Sequence, residues 1–160
     1  AAFTPDGWYH TGDIGRIDEH GRLVLSGRKK NIIVLPNGFN VFPEDIENVL
    51  QDHGLNQAVV LETAPGRIEA VVMPPGTMPM LAPGRGGQEA RDEAQDAAVR
   101  AEIERIIRDA NKQLSTHQRI DGWRLWPEPD FPRTHTLKIQ RDKVREWAAA
   151  DVPLAVREGR

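Results

Sequence analysis

This 160-residue chain carries short β-rich runs in pairs, and a turn containing glycine separates the two members of each pair. The first pair lies within residues 14–28 around "DEHG", where Gly21 can adopt positive φ. The second lies within residues 31–43, with Asn37 and Gly38 at the turn. The third consists of "NQAVVLET" and "RIEAVVMPP" on either side of "APG". Turns this tight predict two hairpins followed by an antiparallel strand pair.

Helical signals follow the second and third pairs. A proline opens "PEDIENVLQDH", where its missing N–H would have had no partner, and Ile46, Val49 and Leu50 fall on one face. Residues 98–114 form an amphipathic pattern and residues 141–150 a short closing one, with a strand candidate, "GWRLWPE", between them. Strand pairs interleaved with helices predict the α+β class, in which helices cover a small antiparallel or mixed β-sheet.

Two segments depart from this pattern. Residues 75–97 are rich in proline and glycine and then in charge, which predicts a loose surface insertion. The chain also begins at Ala1, without an initiator methionine, and enters dense turn chemistry at once. We therefore expect a fragment of a longer protein.

The composition excludes several functional classes. A formal net charge of -3 gives no basis for a nucleic-acid or membrane surface. The absence of cysteine rules out a disulfide framework and a thiolate metal site, and it suits the reducing cytoplasm, where we expect the protein to be. No apolar run approaches the roughly 20 residues of a transmembrane helix, although peripheral attachment of a full-length enzyme to a membrane stays open.

No complete catalytic constellation is present. There is no glycine-rich phosphate loop and no serine nucleophile elbow. The histidines are scattered without the spacing of metal ligands, so no metal site is predicted; they are His10, His20, His53, His117 and His135. We therefore expect half of an active site rather than a whole one.

Three ordered stretches indicate what that half could be. They are "GWYHTGDIG" at 7–15, "GRKKNIIVLPNGFNVFPEDIE" at 27–47 and "PRTHTLKIQR" at 132–141. In this order they resemble the C-terminal end of the acyl-adenylate-forming (AMP-binding) enzyme superfamily, and "GRKKNII" and "TLK" most resemble its long-chain fatty acyl-CoA synthetases. The resemblance implies that residues 1–29 are a β-hairpin ending the large N-terminal AMP-binding domain. It implies that residues 30–160 are the mobile C-terminal domain.

The resemblance also implies a reaction and a set of roles. Members use ATP and Mg²⁺ to convert a carboxylic acid into an acyl-adenylate, and many then transfer the acyl group to coenzyme A. Asp13 and Arg28 would contact the ribose of ATP, and Lys30 would be the hinge about which the C-terminal domain rotates. Gly38 would lie on the loop that reaches the pantetheine channel, and Lys138 would be the adenylation catalyst.

The chemistry of a lysine fits the last of these roles. An ammonium group can bridge the attacking carboxylate and the α-phosphate oxygens as negative charge develops on them. Pro132 fixes one backbone torsion, and Thr134 and Thr136 can bond local backbone, so the loop should hold its shape. Leu137 stands where the family has glycine, and Asn37 and Gly38 replace a double glycine, which leaves the shape of the pantetheine-side loop open.

These observations lead us to expect the C-terminal domain of a long-chain fatty acyl-CoA ligase. Its partners would be the N-terminal domain of the same protein, a fatty acid and coenzyme A, with no nucleic acid and no transmembrane segment. The isolated chain should have little or no activity and no tightly bound cofactor. The alternatives are a fatty acyl-AMP ligase, a carrier-protein-loading adenylation domain, and a non-catalytic α+β interaction module.

Overall fold

The computed structural model describes residues 3–77 and 93–150, and it confirms the α+β class. The strands in these ranges are β1 (Asp13–Ile17), β2 (Leu23–Arg28), β3 (Ile33–Val34), β4 (Asn40–Val41), β5 (Ala58–Ala64), β6 (Arg67–Val72) and β7 (Gly122–Leu125). The helices are α1 (Pro43–Asp52), α2 (Glu93–Gln113) and α3 (Arg141–Ala150). A 3₁₀ turn, Lys29–Asn31, joins β2 to β3.

Both predicted hairpins are present. β1 pairs antiparallel with β2, and Gly21 between them has a φ of 76°. β3 pairs antiparallel with β4, and Gly38 at their turn has a φ of 86°. Glycine supplies this left-handed backbone without the steric cost that a side chain would add, so the turn residues determine where each hairpin reverses.

The first hairpin exposes a row of aliphatic side chains. Ile17 pairs with Leu23, and Leu25 lies two residues further along the same strand face. Each of these three side chains is 66% exposed. Within the part of the chain that the structure describes, this face is therefore not part of the core.

β5, β6 and β7 form the central sheet. β5 and β6 pair antiparallel, as the sequence predicts, and β7 adds to β6 in parallel. α2 lies between β6 and β7 in the chain and carries it back to the end of the sheet where β6 starts. Sheet order is β5-β6-β7, so β6 is the central strand.

The core lies on both faces of this sheet. One face packs against α1, α2 and the β3–β4 hairpin; its buried residues include Val60, Ile68, Ala70, Val72, Ile46, Leu50, Ile103 and Ile106. The other face packs against α3 and the segment after β7; its buried residues include Val59, Leu61, Val71, Met73, Trp126, Phe131, Val144 and Ala148. Burial on both faces explains why β5 and β6 read as continuous apolar runs rather than alternating ones.

One predicted boundary is wrong. α2 already includes Glu93, so residues 93–97 belong to the helix and not to a loose insertion. These residues are exposed and lack the apolar periodicity that identified the rest of the helix. The remainder of the predicted insertion falls largely on residues 78–92, which lie outside the described residues.

Candidate functional site

Lys138 lies on a short loop closed by an antiparallel bridge between Arg133 and Ile139. The Thr134 N–H donates to the Lys138 carbonyl at 2.8 Å, and the Lys138 N–H donates to Thr134 Oγ1 at 3.2 Å. The hydroxyls of Thr134 and Thr136 lie 2.9 Å apart. Thr134 thus bonds the loop backbone as predicted, whereas the structure gives Thr136 a side-chain partner. The loop has a defined internal hydrogen-bond pattern.

The residue before the lysine has an unusual backbone. Leu137 has a φ of 63°, and it is the one non-glycine residue with positive φ among those described. Its N–H donates to the Thr134 carbonyl at 2.9 Å. The turn at this position therefore has the left-handed conformation that glycine favours, although leucine occupies it.

Lys138 is exposed and lines a cleft of about 780 Å³. Arg28 and Lys30, from the end of β2 and the following 3₁₀ turn, line the same cleft. The start of α3 adds further charge, so the basic lining residues are Arg28, Lys30, Lys138, Arg141 and Lys143, and the acidic ones are Glu44 and Asp142. Asp13 and Glu47 pair with Arg28 and Arg141, so the excess of positive charge rests on the three lysines, and it suits an anionic ligand such as a phosphate chain.

The two residues predicted to contact ribose lie together. Asp13 and Arg28 are register partners at the open end of the β1–β2 hairpin, and the Arg28 Nε lies 3.0 Å from the Asp13 Oδ1. The structure thus brings Arg28, Lys30 and Lys138 to one cleft and holds Asp13 beside Arg28. Gly38 lies at the tip of the second hairpin and is not among the residues that line the cleft.

Glu44 is a cleft residue that sequence reasoning assigned only to the start of a helix. Its Oε1 accepts a hydrogen bond from Asn31 Nδ2 at 2.6 Å. Its Oε2 is buried and has no hydrogen-bond partner among the described residues. Asn31 directly follows Lys30, so this carboxylate ties the first turn of α1 to the predicted hinge.

A second missed contact fixes the end of the lysine loop. Arg141 opens α3, three residues after Lys138, and its Nη2 donates to Glu47 Oε2. Glu47 Oε1 accepts the Val60 N–H at 2.7 Å, so this carboxylate joins α1, β5 and α3. Burial raises the pKa of Glu47 above its ordinary value, and the Arg141 guanidinium only partly offsets this.

The cleft does not supply a magnesium site. Among residues 3–77 and 93–150 there is no group of three or more His, Asp or Glu side chains placed to hold a metal ion. Mg²⁺ prefers several oxygen ligands, and the cleft offers only two carboxylates, one of them hydrogen-bonded to Asn31. The residues present therefore do not fit this ion. In the same described ranges, no helix is long and apolar enough to cross a bilayer.

Residues 30–152 match the family model of the AMP-binding enzyme C-terminal domain. The match covers most of the chain, and the chain belongs to this family. This confirms the resemblance drawn from the three ordered stretches.

Individual proteins and solved structures are also similar to this chain. Long-chain-fatty-acid–CoA ligase FadD15 of Mycobacterium tuberculosis is 37% identical over 163 residues, which covers 94% of this chain and 26% of that protein. ATP-bound MatB from Rhodopseudomonas palustris superposes with a TM-score of 0.61 at 25% identity, covering 92% of this chain and 26% of that one. The adenylation domain of a carboxylate reductase from Mycobacterium chelonae gives a TM-score of 0.70 at 21% identity over 93% of this chain and 23% of that one, which supports the fold. The chain spans about a quarter of the length of these relatives.

Proposed function

We propose that this chain acts as the C-terminal part of an ATP-dependent long-chain fatty acyl-CoA ligase. The observation that carries the proposal is the exposed Lys138, on an internally bonded loop, in a cationic cleft that it shares with Arg28 and Lys30. The name of the M. tuberculosis relative supports the substrate class. A cytoplasmic location is part of the proposal, because ATP and coenzyme A are both supplied there.

Lys138 would act in the first half-reaction. A fatty-acid carboxylate oxygen attacks the α-phosphorus of ATP, the bond to the pyrophosphate oxygen breaks, and an acyl-adenylate and pyrophosphate result. Negative charge develops on the phosphoryl oxygens during this step, and the Lys138 ammonium would stabilise it while holding the carboxylate in line. ATP would be held mainly by the N-terminal domain, with Asp13 and Arg28 beside its ribose.

The second half-reaction would use another face of the same domain. The coenzyme A thiol loses its proton, its sulfur attacks the acyl carbon, and AMP leaves. Rotation of residues 30–160 about Lys30 would withdraw Lys138 and bring the Gly38 hairpin to the pantetheine channel. The position of Gly38 on a different element from Lys138, outside the cleft, supports separate roles for the two loops.

The proposed function can be tested by reconstituting the enzyme from two separately made parts. The chain alone should show little or no ligase activity, because it supplies one catalytic cation and no acid pocket. Adding it to a separately made N-terminal domain of the same protein should restore acyl-adenylate formation, measured as fatty-acid-dependent exchange of pyrophosphate into ATP. Lys138→Ala should lower the restored rate by about 100- to 1,000-fold, the size of effect typical for loss of one charge-stabilising group.

The molecule that accepts the acyl group distinguishes a CoA ligase from the two enzymatic alternatives. Release of acyl-CoA after addition of coenzyme A supports a ligase, whereas acyl-adenylate that accumulates or loads a carrier protein supports one of the two enzymatic alternatives. Lys143→Ala is a matched control, because Lys143 lines the same cleft on α3 but has no predicted role. A restored rate that Lys138→Ala leaves unchanged would contradict the proposal and favour a non-catalytic module.

A further inference from the structure

Arg133 has a guanidinium bonded on three sides. Its Nε and Nη2 donate to the two carboxylate oxygens of Asp130 at 2.8 and 2.9 Å. Its Nη2 also donates to Gln57 Oε1 at 2.6 Å, and Gln57 is a buried residue just before β5. A paired carboxylate and a buried amide together fix the plane and position of the guanidinium.

The third side of this guanidinium faces the lysine loop. Arg133 Nη1 donates to the Leu137 carbonyl at 3.1 Å. That carbonyl belongs to the peptide joining Leu137 to Lys138, so a donor anchored in the protein body reaches the backbone at the predicted catalyst. The Arg133 carbonyl in turn accepts from Gln140 Nε2 at 2.5 Å, which closes the far side of the same loop.

Leu137 needs such a constraint. Its φ of 63° is a conformation that a leucine rarely adopts. Its side chain is 51% exposed, so burial in a core does not determine its backbone. The backbone contacts that accompany this conformation are its N–H to the Thr134 carbonyl and its carbonyl to Arg133.

We propose that Arg133 is a positioning residue for Lys138: it holds the Leu137 carbonyl and thereby keeps leucine in the left-handed turn that places the lysine. This inference rests on the proposed function of Lys138. A glycine at position 137 adopts the same turn without the hydrogen bond from Arg133. Leu137→Gly should therefore make Arg133 largely dispensable.

Four variants of the full-length enzyme that contains this chain test the idea: Arg133→Ala, Leu137→Gly, the double variant and Lys138→Ala. Arg133→Ala should lower the kcat of ATP–pyrophosphate exchange by about 100-fold, the cost of displacing a catalytic group by about 1 Å, with the KM for ATP nearly unchanged. Leu137→Gly alone should stay near the parent rate. The double variant should recover most of the loss, which a general defect in folding would not allow.

A matched control tests whether the loss of any arginine near the cleft lowers the rate, or only the loss of the arginine bonded to the lysine loop. Arg145→Ala removes an arginine on α3 whose carboxylate partner, Asp142, lies at 3.1 Å on the surface, and it should leave the rate unchanged. If Arg133→Ala destabilises the fold, Arg133→Lys is tested in its place. One ammonium group cannot reach Asp130, Gln57 and the Leu137 carbonyl together, so this variant should also lower kcat. Adding Leu137→Gly should restore kcat, as in the first double variant. Hydrogen exchange at the Lys138 amide, bonded to Thr134 Oγ1, should accelerate in the arginine variant and slow again in the double variant.

Two outcomes point to different failures. A double variant as slow as Arg133→Ala, or slower, overturns the positioning role while leaving Lys138 as catalyst. A Lys138→Ala enzyme with the parent exchange rate overturns the proposed function itself, and the positioning inference with it.

Discussion

At Gly27 the chain has no room for a side chain. This glycine lies near the end of β2 with a φ of 156°, and a Cβ built on it would be 2.7 Å from Glu44 Oε2. The contact lies beside the predicted hinge Lys30, because the other oxygen of the same carboxylate accepts a hydrogen bond from Asn31. A methyl group here would therefore have to displace the Glu44 carboxylate, which the hydrogen bond from Asn31 holds in place.

Gly27→Ala should lower the free energy of unfolding by about 1–3 kcal/mol, the usual cost of overpacking. Gly21→Ala is the control, since Gly21 also has positive φ but its Cβ would meet nothing within 4 Å. Urea unfolding of both variants measures the difference. Combining Gly27→Ala with Glu44→Ala should remove much of the excess cost; a Gly27 variant no less stable than the Gly21 variant would contradict this account.

At the scale of elements, the contact between α1 and α3 lies next to the lysine loop. Glu47 and Arg141 are both largely buried, and their contact links the two helices across β5. Because α3 begins three residues after Lys138, this contact fixes where the loop ends. Arg145, four residues further along α3, makes only a surface pair with Asp142.

Removing one partner of the α1–α3 joint should be costly. Arg141→Ala leaves Glu47 buried without its cation, and we expect a loss of about 3 kcal/mol in the free energy of unfolding. Arg145→Ala, which breaks an exposed pair on the same helix, should cost less than about 1 kcal/mol. Thermal or urea unfolding distinguishes them, and equal losses for the two arginines would refute the assignment of a buried joint.

Elements with local signals were predictable, and elements set by distant contacts were not. The hairpin turns and the start of α1 follow from glycine, asparagine and proline at fixed offsets, and all three form as predicted. The parallel pairing of β7 with β6 was not predicted, because it depends on where α2 returns the chain. The first residues of α2 were missed since they bury nothing and so carry no apolar period.

For the molecule as a whole, the pH dependence of stability has contributions of opposite sign. Glu69, buried in the central sheet, accepts hydrogen bonds from Arg67 and Arg124. Burial acts to raise its pKa, but the two guanidinium groups outweigh it, and the net pKa lies below the ordinary value of 4.5. Glu69 thus stabilises the fold above its unfolded pKa, and this contribution disappears as the pH falls through the folded pKa. Glu47, whose folded pKa is raised, acts the other way: ionising it as the pH rises past 4.5 lowers the free energy of unfolding.

Glutamine substitutions should separate these two contributions. Glu69→Gln should make the fall in the free energy of unfolding below about pH 5 shallower than in the parent, and Glu47→Gln should make it steeper. Urea unfolding at a series of pH values from about 3 to about 7 gives the slopes, which matter here rather than the absolute losses. Parallel slopes for the parent and Glu69→Gln would exclude Glu69 as an acid-sensitive group.

How much of the site was predictable follows from the distances along the chain. The lysine loop was identified because its residues are consecutive, and the structure leaves Lys138 facing a cleft. The residues that brace it were not identified, because their bonds join positions 76 and 94 residues apart, as between Arg133 and Gln57 and between Arg141 and Glu47. Polar pairs at such separations produce no recognisable spacing pattern in a single sequence. They come together only when the central sheet has folded.

The aliphatic row on the first hairpin has a practical consequence for work with the isolated chain. The two-stranded hairpin carries an exposed apolar strip that consists of Ile17, Leu23 and Leu25. Such strips promote association between molecules at high protein concentration. The apparent molar mass from light scattering should therefore increase with protein concentration, and threonine at these three positions should keep it constant without touching the lysine loop. Samples for spectroscopy or crystallisation would benefit from that change first.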